Sequence, residues 1–498
     1  MSRDLLIGIG GTGAKCVEHV VHLLAAGGGP DDLNIGLVDQ DRANGNVDWT
    51  RSLITRYAGL REALREIGDA GIDPASRYFH THIGTQEFWC PLPESNMTLR
   101  EIFHYDMLQP GLRGLMDGLF HNTEEQKLDL NEGFRGRPAI GAATIVSRAG
   151  GGAPLWKLVD EAAQQARAGD DVRIMLVGSI FGGTGAAGLP SMSRLIRQNL
   201  EMSGITSGVH IGGILMLPYF RFPTAEGESE IVASSEEFME RSQGSLLYYA
   251  QYLEDQKLFD SLYLVGWDPL ISIDNHHRGG PQQYNPPLLP ELYGALAACD
   301  FFARTSEVRT GVSLIGRREG TEMSWPDLPD ANGYTSLVAQ LGTLIRFAYA
   351  FHYVYGPALL DNRRQVSKEP WYKRLVLAGR VDGRSELART MWRDMSDYCG
   401  DVLNWAATMS SVSSSPDCDV RLFNTQLFAT GTGSASRLRE SQPSGANKGF
   451  ARLLYDRKDA DLADVFNRLT YARPAPGHTG LGLLPGHLFD SCDIDDGR

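Results

Sequence analysis

The chain has 498 residues, 42% hydrophobic and 22% charged, a balance expected of a globular protein with two or three domains and sizeable cores. Its 47 basic and 61 acidic residues leave a net charge of −14, which excludes non-specific nucleic acid and anionic membrane surfaces as expected partners. No apolar run approaches transmembrane length and Met1-Ser-Arg-Asp-Leu-Leu enters a strand pattern rather than a signal peptide, so a cytoplasmic protein is expected.

Asp4 to Ile9 predicts a buried strand, Gly8-Ile-Gly-Gly-Thr-Gly13 a turn, and Ala14 to about Ala25 a helix with Val17, Val20, Val21 and Leu24 on its apolar face. Asn34 to Asp39 predicts the next strand, completing a βαβ unit that ends in Asp39-Gln40-Asp41. On its own the GxGxxG turn with a following acid fits a dinucleotide site. It is not a Walker A loop, because Ala14 separates Gly13 from Lys15, and Lys15 is expected to be a solvated first-turn residue.

Trp49 to Phe120 reads as mostly helical, irregular around Phe79 to Asn96, with His80, His82, His104 and His121 at no metal-ligand spacing. The six cysteines (Cys16, Cys90, Cys299, Cys399, Cys418, Cys492) are scattered without a CxxC, as expected of reduced thiols. Asn131 to Gly141 is loop-like, and Leu155 to Ala168 helical. The dominant feature follows: an apolar strand from Val172, the turn Gly182-Gly183-Thr184-Gly185, and an amphipathic segment from Leu189 to Leu200. Glycines let backbone N–H groups close on an anion, and the helix after them adds a positive end of about half a charge. Thr184 adds a hydroxyl donor. One such loop is marginal for a nucleotide, so Gly10, Gly11, Thr12 and Gly13 are expected to form a partner loop with it.

Val209 to Leu217 and Leu258 to Gly266 predict further strands, with helices at Ser234 to Gln256, Leu288 to Arg304, Ser336 to Leu359 and Ser385 to Met409. Strand and helix alternate up to residue 305, which predicts an α/β domain with a mostly parallel sheet. The expected division is a nucleotide-binding domain over 1–305, a connecting region over 306–360, and a smaller C-terminal domain over 361–498 with a polar tail.

Two glycine loops in one such domain resemble the tubulin/FtsZ superfamily, and more narrowly its divergent bacterial tubulin-like members. Gly182 to Gly185 match the middle of the family's GGGTG(S/T)G signature, with Phe181, Ala186 and Ala187 departing at its flanks. Gly8, Gly10, Gly11 and Gly13 match the first loop, Asp39 and Asp41 stand at the family's Asn-Thr-Asp turn, and Arg137 to Gly141 echo a third phosphate loop. Pro218-Tyr219 and Glu226-Gly227 resemble the ribose loop, with Glu230 where an arginine is expected. The helix at 288–304 resembles the long central helix, which would bring Tyr293, Leu296 or Asp300 to the base. Asp327-Leu-Pro-Asp330 reproduces the Asp-x-x-Asp of a catalytic loop, with Trp325 replacing its asparagine.

The resemblance, spanning roughly residues 4 to 360, implies a Rossmann-like GTPase-type fold binding GTP or GDP with Mg²⁺. Asp39, Asp41, Gly141, Glu226 and Asp300 would join the two glycine loops in holding nucleotide, with Asp41 an outer-sphere partner of the ion. Asp327 and Asp330 would complete hydrolysis on the next subunit of a head-to-tail filament, and other proteins are expected partners through the C-terminal region. The alternatives are a nucleotide-holding scaffold that neither turns over nor polymerises, and an NAD-dependent oxidoreductase.

Overall fold

The computed structural model describes residues 4–65, 76–93, 97–120, 123–130, 133–134, 136–150, 152–205, 207–222, 235–256, 258–273, 280–303, 311–329, 337–361, 363–424, 450, 452–455, 462–474 and 476–494. Strands β1 (Asp4–Ile9), β2 (Asp32–Val38), β3 (His82–Trp89), β4 (Val172–Ser179), β5 (Val209–Met216), β7 (Ser261–Val265) and β9 (Gly311–Ile315) form one seven-stranded sheet. Two short strands, β6 (Phe220–Arg221) and β8 (Ile271–Ser272), pair beside it. The order is β3-β2-β1-β4-β5-β7-β9 and every pairing is parallel. This is an α/β, Rossmann-like fold.

The sequence builds it through alternation. Leu6 of β1 joins one core with Leu33, Ile35, Met175 and Ile214, while Leu5, Ile7 and Ile9 join the other with Ile174, Leu176 and Ile211. A sheet buried on both faces needs helices on both, which is what parallel crossovers supply. On the first face lie α1 (Gly10–Ala25) and α2 (Gly45–Arg65). On the second lie α3 (Pro138–Arg148), α4 (Pro154–Arg167) and α5 (Gly183–Met202). Helix α6 (Ser235–Gln256) leads into β7. The apolar helix α7 (Leu289–Ala303) crosses from β7 to β9, and all its residues but the last are buried, against α1 and the first face.

Helices α8 (Leu337–Ala350) and α9 (Glu386–Ser413) form a further layer whose buried residues, including Met391, Trp392, Met395, Tyr398 and Trp405, share the core of α1. The environment of Lys15 also departs from expectation. It is buried rather than solvated, its Nζ 2.5 Å from the buried Glu18 carboxylate, which also accepts from Trp49 Nε1 at 3.1 Å. An apolar stripe on α1 was legible, but a helix nearly 400 residues away covers the opposite face.

Two strands of the seven-stranded sheet were missed. β3 falls in the stretch read as irregular, and β9 carries three exposed residues of five, so neither shows a continuous apolar run. All six cysteines are free thiols. Among the described residues no helix is long and apolar enough to cross a membrane, and no acid, histidine and cysteine cluster could hold a metal ion.

Candidate functional site

The strand order places the site. Chain progress runs outward from β1 through β2 to β3 on one side, and from β4 to β9 on the other, so the order reverses between the neighbours β1 and β4. Crevices at the carboxyl ends of strands open at such a switch point. Here the turns after both strands are glycine-rich, and parallel pairing, Ile9 opposite Gly178, brings them out at the same edge. Gly10, at φ +73°, lies against the second turn: a Cβ added to it would stand 3.4 Å from both Gly185 N and Thr184 Cβ. Loops separated by about 170 residues therefore touch.

Together they wall a cleft of about 330 Å³, within the usual size of small-molecule sites, about 300–1,000 Å³. Gly10, Gly11 and Thr12 line it from the start of α1, and Gly182, Gly183, Thr184 and Gly185 from the start of α5. Neither helix has a side-chain cap at its N-terminus or an acidic residue in its first turn. Their leading N–H groups therefore present two positive helix ends to one volume.

Asp39 and Asp41 line the same cleft from the end of β2. Asp39 Oδ1 accepts from Thr184 Oγ1 at 3.2 Å and from Asp41 N at 3.2 Å, and its Oδ2 accepts from Asn44 Nδ2 at 2.9 Å. The Thr184 hydroxyl thus ties the second turn to the acid. Burial, reinforced by the neighbouring Asp41 charge, pushes the Asp39 carboxyl up to about 7 against the donors that stabilise its charged form. Asp41 accepts from Ala43 N at 3.0 Å and from Gly280 N at 2.6 Å.

The sequence reading missed the rest of the lining. Asn44, Asn46, Gln283 and Asn285 supply carboxamides at the acid end and Ser179 a hydroxyl. Gly133, Phe134 and Gly136 add a third loop, within the stretch expected to be loop-like and just ahead of the Arg137 to Gly141 echo. Phe181, Phe220, Phe222 and Phe238 make an aromatic wall, with the Phe181 and Phe238 rings 4.7 Å apart. Arg241 on α6 supplies a cation to the lining; its guanidinium lies over Gly136. No motif announces Arg241, but Asn44-Gly-Asn46, separated by two residues from Asp39-Gln40-Asp41, is a polar signal that was available.

The other expected site residues lie elsewhere. Gly13 stands behind the cleft, where a Cβ would come 2.5 Å from Val177 O, so it lets α1 cross the strand ends. Gly141 packs α3 on α5, its added Cβ 2.6 Å from Ala187 Cβ. Asp300 does not line the cleft; its Oδ2 accepts from Tyr263 OH at 2.9 Å. Tyr293 and Leu296 are core, the Tyr293 hydroxyl donating to Asp327 O at 3.0 Å. Asp327 is also outside the cleft of its own chain, and its Oδ2 accepts from Ser324 N at 2.9 Å and Ser324 Oγ at 3.1 Å. Glu226 and Asp330 fall outside the described residues. Because Asp300 is held within the core, Tyr263→Phe is expected to cost about 2 kcal/mol of unfolding free energy, the worth of a bond to a charged group. Ligand affinity should stay unchanged, as urea unfolding and titration would show.

Among solved structures the chain is similar to CetZ from Methanosaeta thermophila strain DSM 6194, at 14% identity and a TM-score of 0.22, over 53% of this chain and 46% of that one. The chain thus spans about half the length of that protein. No protein-family model and no curated protein matches it.

Proposed function

We propose that the chain binds a nucleoside triphosphate across its paired glycine turns and acts as a tubulin/FtsZ-type GTPase that assembles head to tail. The observation that carries this reading is the convergence of Gly10 to Thr12 and Gly182 to Gly185 on one cleft at the sheet's switch point. Two uncapped helix ends suit a polyphosphate, and the aromatic wall offers the nucleoside an apolar surface. Asp39 and Asp41 put carboxylates beside the first turn, and because their oxygens already accept internal hydrogen bonds they would meet Mg²⁺ through its bound waters, which that ion usually keeps. When bound, that ion would neutralise phosphate oxygens next to the two acids.

Guanine rather than adenine rests on the resemblance. So does assembly: Asp327 and Asp330 would serve the cleft of the next subunit, a heterologous contact that propagates when it does not close. A non-polymerising scaffold is the second reading, favoured by the Asp327 carboxylate already capping its own turn. An oxidoreductase gains no support from Asp39, whose two oxygens are engaged by Thr184, Asp41 N and Asn44.

Chromatography of the co-purifying nucleotide tests the site, and pelleting, light scattering and phosphate release with GTP and Mg²⁺ test assembly and turnover. Guanine nucleotide bound without assembly or phosphate release would favour the scaffold. Stabilisation by NAD(H) rather than by guanine nucleotides would overturn both. Asp327→Ala is expected to lower phosphate release about tenfold, about 1.4 kcal/mol of barrier, and to leave nucleotide affinity unchanged. Unaltered release would remove Asp327 from the chemistry.

A further inference from the structure

Asn46, the second residue of α2, is fully buried and lines the cleft. Most of its polar groups are committed. Its N–H donates to Asn44 Oδ1 and to Gln283 O, both at 3.0 Å, and its carbonyl accepts from Thr50 Oγ1 at 2.9 Å. Its side-chain Oδ1 accepts from Asn285 N at 2.8 Å. The exception is Nδ2, which has no partner among the described residues. A backbone N–H can only donate, so the bond from Asn285 fixes which end of the carboxamide is oxygen. The amino end then stands beside the first glycine turn, 3.2 Å from where a Cβ on Gly11 would be. Asn44 Nδ2 differs in being satisfied, by Asp39 Oδ2 at 2.9 Å and Gln283 Oε1 at 3.1 Å.

We propose that Asn46 is a ligand-binding residue whose Nδ2 donates to a phosphoryl oxygen of the bound polyphosphate, held in place by the strap 280–285. This rests on the reading of the cleft as a nucleotide site. Buried donors in folded proteins find acceptors, and the ligand filling this cleft supplies one. The first turns of α1 and α5 flank the same volume, so the acceptor belongs to an anion that can meet several N–H groups at once. The strap explains the orientation: Gly280 N holds Asp41, Gln283 holds Asn44 and Asn46, and Asn285 N holds the Asn46 oxygen. Asn46 is thereby pre-set, with its rotamer fixed before the ligand arrives.

Calorimetric titration of the full chain with inorganic tripolyphosphate, GTP and guanosine, in the presence of Mg²⁺, tests this in wild type, Asn46→Asp and Asn46→Ala. Asn46→Asp keeps an oxygen for Asn285 N and loses only the donor; Asn46→Ala is neutral and controls for the added charge. Both are expected to bind tripolyphosphate and GTP about tenfold more weakly than wild type, with guanosine affinity unchanged. If Asn46→Asp does not fold, Asn46→Ala carries the comparison. Wild-type affinity for both phosphorylated probes in the variants overturns the role of Asn46 and leaves the nucleotide site standing. An equal loss for guanosine marks a structural role and also overturns it. Failure of wild type to bind either phosphorylated probe overturns the site itself.

Discussion

Gly11→Val is expected to weaken GTP binding by at least 100-fold while leaving the protein folded, and Gly185→Ala to weaken both binding and stability. The two turns fail for different physical reasons. A Cβ on Gly11 would meet only the side-chain ends of Asn46, at 3.2 Å, and Asn44, at 3.3 Å. These are side-chain ends rather than backbone, so the fold survives, while the added bulk presses on the Asn44 and Asn46 amides and occupies the mouth of the first turn. A Cβ on Gly185 would instead lie 2.4 Å from Ser179 O and 2.8 Å from Ser179 N. Backbone at the end of β4 cannot yield in that way, so the start of α5 must move off its strand. Micromolar affinity requires about 8 kcal/mol, and each bond to a charged group contributes about 1.5–3 kcal/mol. Losing two such donors removes about 3–6 kcal/mol, a factor of 100 or more. Titration calorimetry against unfolding temperature separates the two variants. Retained affinity in Gly11→Val would mean that the ligand does not use the first turn.

The glycine turns were readable because their chemistry is local: an apolar strand, small residues, then a helix. Their meeting was not local. It follows from β4 pairing with β1, which no residue of either turn encodes; before the fold, the argument that one loop is too weak alone and the family resemblance were what joined them. The parts that went unread come from long-range packing. Arg241 reaches the cleft from a helix with no motif around it, and Asn46 acquires its orientation from Asn285. Lys15 is expected in solvent as a first-turn residue, whereas Glu18, Trp49 and Tyr284 stand around it. Further along α1, the helix α9 covers the polar side with Tyr398 and Trp405 against His22 and His19. Asp300 and Asp327 show a different limit of pattern reading. Both carry the residue type that a family pattern asks for, and Tyr263 and Ser324 occupy them structurally. Spacing along a helix names a residue without saying which neighbour it faces.

Asp39 makes the ligand-free protein pH-sensitive in a direction that can be stated in advance. Its carboxyl titrates near 3.8 when unfolded and is pushed up to about 7 in the fold, first by burial, with the Asp41 charge adding to it. A raised folded-state value means that the native protein holds this proton more tightly. The resulting stability is fully present below about pH 4 and is lost as pH rises through 7. Three units correspond to at most about 4 kcal/mol. Thr184, Asn44 and the Asp41 N–H face the charged form as donors, and Arg241 lines the same cleft. Asp39→Asn imitates the protonated acid, so nucleotide-free wild type should lose up to about 4 kcal/mol relative to this variant between pH 4 and pH 8 in urea unfolding. Glu291 is also raised to about 7 by burial, but it is present in both proteins and cancels in the difference. A Mg²⁺ ion held closer to Asp39 than the phosphates it neutralises would oppose that slope, because the nearest charge favours the carboxylate even though the whole complex is an anion. The stabilisation that GTP and Mg²⁺ give wild type should therefore gain on that given to Asp39→Asn from pH 5 to pH 8; the terminal phosphate's own titration, at about 6, is common to both and cancels. Parallel stability curves for the two nucleotide-free proteins would show that Asp39 is ionised in the fold throughout, and that the acid end of the cleft carries its charge without help from a bound cation.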